Sequence, residues 1–188
     1  MPLYLETGTP LITYHGLPAI GAIVGACRKS PVLADLKAVD GVAKYFREAG
    51  RQGAKIATVL GFAADASIRE ALRGGREGGV EVMVDLYALD PAVLPRRARE
   101  LEAMGVHYLL LHAGGDAMAA EPDRDPHVGL GELVRAVSIP VGAVTFGADQ
   151  AVRAVQAGAS FVVQGEPMVS APDGPRQLSS FITRVHTA

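Results

Sequence analysis

Seven times along this chain a short, continuous run of apolar residues ends in a turn containing glycine or aspartate. Each run then gives way to an amphipathic stretch. The runs are Leu3–Glu6, Pro31–Lys37, Lys55–Leu60, Val80–Leu86, Val106–His112, Ile139–Val144 and Ser160–Gln164. Their cores, such as VEVMVDL and HYLLLH, are unbroken rather than alternating. An unbroken apolar strand needs cover on both faces, which is the situation of a parallel sheet flanked by helices. The connecting stretches read as those helices. Gly41–Gln52 carries Val42, Tyr45, Phe46 and Ala49 at a spacing of three to four residues. Asp65 and Ser67 are candidate caps for the stretch that runs to Gly74. Pro91 opens Ala92–Met104, whose Arg96, Arg97, Arg99, Glu100 and Glu102 read as a solvated face. Gly174–His186 reads as the last helix, with Arg176, Arg184 and His186 as surface features. Glycines at 53, 78, 105 and 158 are placed to end helices before the next strand.

Strand–helix units in series close into a barrel or spread into an open doubly wound sheet. At 188 residues the chain reads as one α/β domain over 1–188. It is slightly short of the roughly 200 residues at which eight-unit barrels begin. With 49% hydrophobic and 20% charged residues it can bury a core. A net charge of −2 and the lack of a basic stripe argue against nucleic acid as a partner. The longest apolar run, Leu17–Cys27, is too short to span a bilayer. The N-terminus has no secretory pattern, so no membrane partner is expected. Cys27 is the only cysteine. It reads as a buried, inert thiol, and the expected compartment is the reducing cytoplasm.

In parallel α/β proteins reactive groups collect at the C-terminal ends of strands. Those positions hold Glu6, Asp35 with Lys37, Asp85, and His112. Asp35 and Lys37 are two residues apart in a strand, so they point the same way, and Asp40 follows at the turn. Three ionisable groups at one strand end are costly unless they pair or meet a ligand. A lysine between carboxylates can donate protons or stabilise an anion, and a carboxylate there can take a divalent metal. A structural ion-pair network is the other reading of the same residues. Asp85 also fits a buried acceptor, Glu6 a solvated terminal residue, and His112 a satisfied polar side chain.

The run Asp35-Leu36-Lys37-Ala38-Val39-Asp40 matches the D-x-K-x-x-D signature of the orotidine 5′-monophosphate decarboxylase suprafamily. Within it the chain most resembles 3-hexulose-6-phosphate synthase and 3-keto-L-gulonate-6-phosphate decarboxylase. Glu6-Thr7-Gly8-Thr9-Pro10, Ala57-Thr58-Val59-Leu60-Gly61, Val82-Met83-Val84-Asp85-Leu86 and His112 follow in the family's order over nearly the whole chain. The resemblance implies a (β/α)8 barrel of the ribulose-phosphate-binding type, here without the family's first strand–helix unit. It implies a carbon–carbon lyase that uses Mg2+ to stabilise an enediolate on a sugar phosphate. Carried over by position, Glu6 and Asp35 hold the metal and Lys37 contacts the enediolate. His112 transfers protons. Asp40 reaches the partner's site in a homodimer with shared active sites.

The family's phosphate-binding turns fall at Thr145-Phe146-Gly147 and Gly165-Glu166-Pro167-Met168. The expected substrate contacts are therefore Thr145, Gly147, Gly165 and Glu166. Both turns depart from the family's glycine pairs. Phe146 narrows the approach of an anion. A carboxylate at Glu166 repels a phosphate if it faces the pocket, and spares it if it faces solvent. Two alternatives to the lyase therefore stand: a non-catalytic binding or assembly subunit, and an enzyme for a non-phosphorylated substrate. The stretch from Ala113 to Pro126 reads as a mobile loop over the site.

Overall fold

A computed structural model describes residues 3–187. In chain order its elements are β1 (Leu5–Thr7), α1 (Thr9–His15), α2 (Pro18–Ala26), β2 (Val32–Ala38), α3 (Val42–Arg51), β3 (Ile56–Leu60), α4 (Asp65–Gly78) and β4 (Glu81–Asp85). There follow a short 3-10 turn at Pro91–Val93, α5 (Leu94–Met104), β5 (Tyr108–Leu111), α6 (Gly115–Ala120), α7 (Leu130–Ala136), β6 (Val141–Thr145), α8 (Ala148–Gln156), β7 (Phe161–Gln164) and α9 (Gly174–His186). Every strand lies within or one residue beyond an apolar run read from the sequence. The backbone groups into two compact units, one of residues 3–85 and 101–107, the other of 86–100 and 108–187.

In the first unit the strands lie in the order β1-β2-β3-β4, all parallel. Parallel pairing follows from the helical crossover after each strand. The strands are covered as their unbroken apolar runs require. Ala57, Val59, Val82 and Val84 are completely buried, and so are Phe46 of α3 and Ile68 of α4. Helices α3 and α4 approach until their backbones nearly touch. A Cβ on Gly50 would stand 2.1 Å from the carbonyl oxygen of Gly78. In the second unit β5, β6 and β7 are again parallel and in sequence order. Leu109, Ala143, Leu133 and Ala151 form its buried interior, and Phe181 and Val185 of α9 pack onto Ala151.

Several details differ from the sequence reading. Cys27 is exposed, not buried. The apolar run before it forms α2, and Cys27 is the residue that ends this helix, where the chain turns toward Arg28 and Lys29. Neither Asp65 nor Ser67 caps α4. The cap position is Ala64, which has no acceptor, and Asp65 is already the first helical residue. There its charge still complements the helix dipole. Helix α4 continues past Gly74 to Gly78, and Gly79 takes the left-handed conformation that ends it. The segment read as a loop from Ala113 to Pro126 contains α6. No helix among the described residues is long and apolar enough to cross a membrane.

Because backbone atoms of α4 occupy the space beside Gly50, Gly50→Ala must push two helices apart. Overpacking of this kind costs about 1–3 kcal/mol. Urea unfolding of the variant is expected to show a lower midpoint with an unchanged slope.

Candidate functional site

Three of the strand-end residues read from the sequence, Asp35, Lys37 and Asp85, meet at the end of β2. This strand does not stay in simple register with β3. Ala34 pairs with Ala57 but Ala38 pairs with Val59, so Asp35, Leu36 and Lys37 bulge opposite Thr58 alone. Bulges of this sort re-aim side chains next to active sites. Within it Lys37 has a φ of 42°, in the left-handed region that a lysine rarely adopts. Its backbone N–H donates to Thr58 Oγ1 at 2.9 Å. Backbone strain held by surrounding contacts is a mark of functional positions.

The bulge brings Lys37 between two acids. Its Nζ lies 2.6 Å from Asp35 Oδ2 and 3.1 Å from Asp85 Oδ2. Asp85, at the end of β4, is fully buried, and Asp35 is 8% exposed. Two threonines finish the cluster. Thr58 donates to Asp35 Oδ1 at 2.9 Å, and Thr9 donates to Asp35 Oδ2 at 2.6 Å. Thr9 begins α1 directly after β1, so one hydroxyl ties two strand ends together. Partial burial of Lys37 works against its charge, but the Asp35 and Asp85 carboxylates outweigh that effect and raise its pKa above the usual 10.5. Lys37 is thus an ammonium at neutral pH. It can donate a proton or hydrogen bond to a developing anion and is not a free-amine nucleophile.

Other expected residues of this unit are placed as follows. Glu6 sits on β1, exposed, with Oε1 3.9 Å from the point where a Cβ on Gly8 would lie. Asp40 is exposed in the bend after β2. Among the described residues no group of three or more His, Cys, Asp or Glu is assembled to hold a metal. Magnesium, however, takes one or two carboxylates from a protein and fills its remaining positions with water and substrate oxygens. Glu6 and Asp35 are hard oxygen donors on neighbouring strands. Two carboxylates around one ammonium also leave the Lys37 cluster with one formal negative charge in excess. That donor chemistry fits the ion.

In the second unit His112 directly follows β5, and its ring meets the Tyr87 ring edge-on at 5.3 Å between centroids. Thr145 is buried, and its hydroxyl bonds the Val163 carbonyl at 3.1 Å and Gln164 Oε1 at 3.2 Å. The Phe146 N–H donates to Gln150 Oε1 at 2.8 Å, so this amide of the turn is occupied. Gly147 and Gly165 both face open space where a side chain would stand. Glu166 is exposed and accepts a hydrogen bond from Ser170. Sequence reasoning did not single out His127, whose Nε2 lies 3.0 Å from the Val144 carbonyl oxygen. It also did not assign roles to Thr9, Thr58 or Tyr87. Thr9 opens α1 and Thr58 lies within β3, 26 and 23 residues from Asp35, so no local pattern marked them.

The sequence model of the Orotidine 5'-phosphate decarboxylase / HUMPS family matches residues 2–179. A 3-hexulose-6-phosphate synthase of Staphylococcus epidermidis is 38% identical over 115 residues, 61% of this chain and 54% of that protein. One from Staphylococcus aureus strain USA300 is 36% identical over the same share. The chain thus spans about half the length of these relatives. Among solved structures, the 3-hexulose-6-phosphate synthase of Salmonella typhimurium has a TM-score of 0.90 and 27% identity, covering 98% of this chain and 86% of that one. The 3-keto-L-gulonate-6-phosphate decarboxylase of Vibrio cholerae has a TM-score of 0.80 at 18% identity, covering 98% and 85%, a likeness of fold. The fold class is accordingly the α/β barrel type expected from the sequence, with seven strands among the described residues.

Removing the ammonium strands two acids at once. Lys37→Met in metal-free protein is expected to lower the unfolding free energy by about 3 kcal/mol at neutral pH, as for other partly buried pairs broken on one side. Since the folded pKa of Lys37 lies above the unfolded value, its contribution is complete below pH 10.5 and fades as pH rises through the folded value. On the alkaline side the difference between wild type and variant in urea titrations therefore persists to pH 10.5 and shrinks beyond it. A difference already lost at mild alkaline pH contradicts the raised pKa.

Proposed function

The chain belongs to the Orotidine 5'-phosphate decarboxylase / HUMPS family, and from that premise we propose that it is a carbon–carbon lyase of the 3-hexulose-6-phosphate synthase type. Its substrate is a sugar phosphate, and its chemistry passes through an enediolate. The observation that carries this reading is the Lys37 ammonium clamped on Asp35 and Asp85 at the end of parallel strands.

The reaction class demands what that cluster supplies. When a proton leaves the carbon next to a ketose carbonyl, negative charge moves onto the carbonyl oxygen. A fixed ammonium in a partly desolvated setting stabilises that oxygen far better than water does, because it needs no reorganisation. Asp35 and Asp85 hold Lys37 in place, and Thr9 and Thr58 hold Asp35. Lys37 also donates to substrate hydroxyls. His112 carries the proton to and from carbon. Glu6 and Asp35 would hold Mg2+, which when bound adds positive charge beside the developing oxyanion. Asp40, exposed after β2, contributes to the partner's site in a homodimer. Gly147 and Gly165, open where side chains would stand, offer backbone for the phosphate, with Thr145 behind them. The exposed, Ser170-bonded Glu166 is turned to solvent or to a substrate hydroxyl. The compartment we propose is the cytoplasm, whose reducing conditions suit a chain with a single cysteine.

A second reading rests on one observation. The Phe146 amide is already bonded to Gln150, which weakens the first phosphate turn. The same ammonium cluster would then serve a non-phosphorylated substrate, or a binding or assembly subunit without turnover.

With Mg2+, the purified protein is expected to consume ribulose 5-phosphate and formaldehyde together. Lys37→Ala should lower kcat by roughly a hundredfold or more. Chelation of the metal should abolish the reaction, and re-addition of Mg2+ should restore it. A folded dimer that consumes neither compound, with Mg2+ present, refutes the lyase and leaves the second reading.

A further inference from the structure

The loop after β4 carries an aromatic residue whose setting goes beyond the roles above. Tyr87 and His112 stand edge to face, with ring centroids 5.3 Å apart and planes inclined by 61°. Both belong to the second unit. Three local features converge on this contact. Leu86, just before Tyr87, donates its N–H to the Leu110 carbonyl at 2.9 Å, two residues before His112. The next residue, Ala88, has a φ of 59°, a conformation that alanine rarely adopts. Leu89 N–H then closes the turn onto the Leu86 carbonyl at 3.3 Å.

Gly114 supplies a fourth feature. A Cβ there would lie 2.5 Å from Cε2 and 3.3 Å from Cδ2 of Tyr87, and Gly114 itself has a φ of 84°. Only glycine fits that space and that backbone. The Tyr87 ring is thus seated against the backbone that follows β5 and against the ring of His112. An unusual backbone on each side accommodates it.

We infer that Tyr87 is a positioning residue that fixes the plane of the His112 imidazole. The inference rests on the reading in which His112 moves a proton. The outer torsion of a histidine is broad and twofold, so a ring without a neighbour presents either nitrogen in many orientations. Edge-to-face packing favours one plane. A ring held in that plane keeps one nitrogen on the line of proton transfer, and misplacement by about 1 Å can cost two orders of magnitude in rate. The contact that does this is made by the ring of Tyr87.

The test uses two readouts on the full chain. In proton NMR the His112 ring signals, identified by their loss in His112→Gln, are displaced by the ring current of Tyr87. They should keep that position in Tyr87→Phe and leave it in Tyr87→Leu. Turnover of ribulose 5-phosphate with formaldehyde should fall roughly ten- to a hundredfold in kcat for Tyr87→Leu, with KM little changed. Tyr87→Phe should retain wild-type kcat. If Tyr87→Leu fails to fold, Gly114→Ala provides the same displacement by pushing the ring aside. His112 signals that do not move in Tyr87→Leu or Gly114→Ala overturn the inference, and so does a Tyr87→Phe variant that behaves like Tyr87→Leu. A wild type without turnover whose His112 signals still follow the Phe and Leu pattern refutes the proposed reaction while upholding the contact.

Discussion

The ammonium of Lys37 between Asp35 and Asp85 is the interaction on which the rest of the first unit's strand ends depends. Asp85 has no solvent access and Asp35 very little. Without a cation, two carboxylates in that setting face desolvation and mutual repulsion together. The cation also explains the backbone. For Nζ to reach both acids, β2 gives up simple register and Lys37 enters the left-handed region. Thr58 compensates on both fronts, accepting from the Lys37 N–H and donating to Asp35. A strained, hydrogen-bonded bulge is a poor way to build a strand and a good way to hold a charge still.

Burial and Coulomb attraction oppose each other at Lys37, and their balance decides its chemistry. Desolvation is the larger single influence and favours the neutral amine. Two carboxylates within hydrogen-bonding distance together exceed it. The group therefore serves as a fixed positive charge. Enediolate chemistry calls for such a charge, whereas imine chemistry needs the amine free at neutral pH. The threonines that hold Asp35 come from the beginning of α1 and from β3, so the placement of one side chain draws on three successive strand–helix units.

The second unit applies the same economy differently. Aromatic and hydrogen-bond contacts engage its strand-end residues. His112 rests on Tyr87, Thr145 is bonded to β7, and Phe146 is bonded to Gln150. Glu166 is engaged by Ser170 rather than by a basic residue. The turns after β6 and β7 thus keep open glycines at 147 and 165, while the Thr145 hydroxyl, the Phe146 N–H and the Glu166 carboxylate are engaged within the chain.

By itself the sequence determined the class of fold and the strand end at which Asp35 and Lys37 stand together. Unbroken apolar runs require cover on both faces, so parallel strands with crossover helices were the only economical solution, and β1 to β7 follow those runs closely. Asp35 and Lys37 at a spacing of two in such a run had to share a face. What only the tertiary structure decided is who meets whom. Asp85 is 48 residues from Lys37 and Thr9 is 26 from Asp35, distances at which no local pattern carries information. The bulge at Lys37 and the left-handed Ala88 run against local preference and exist because distant contacts over-determine them. Cys27 misled for the converse reason. An apolar run records the need for a helix, but which turn of it reaches the surface depends on where the next strand begins.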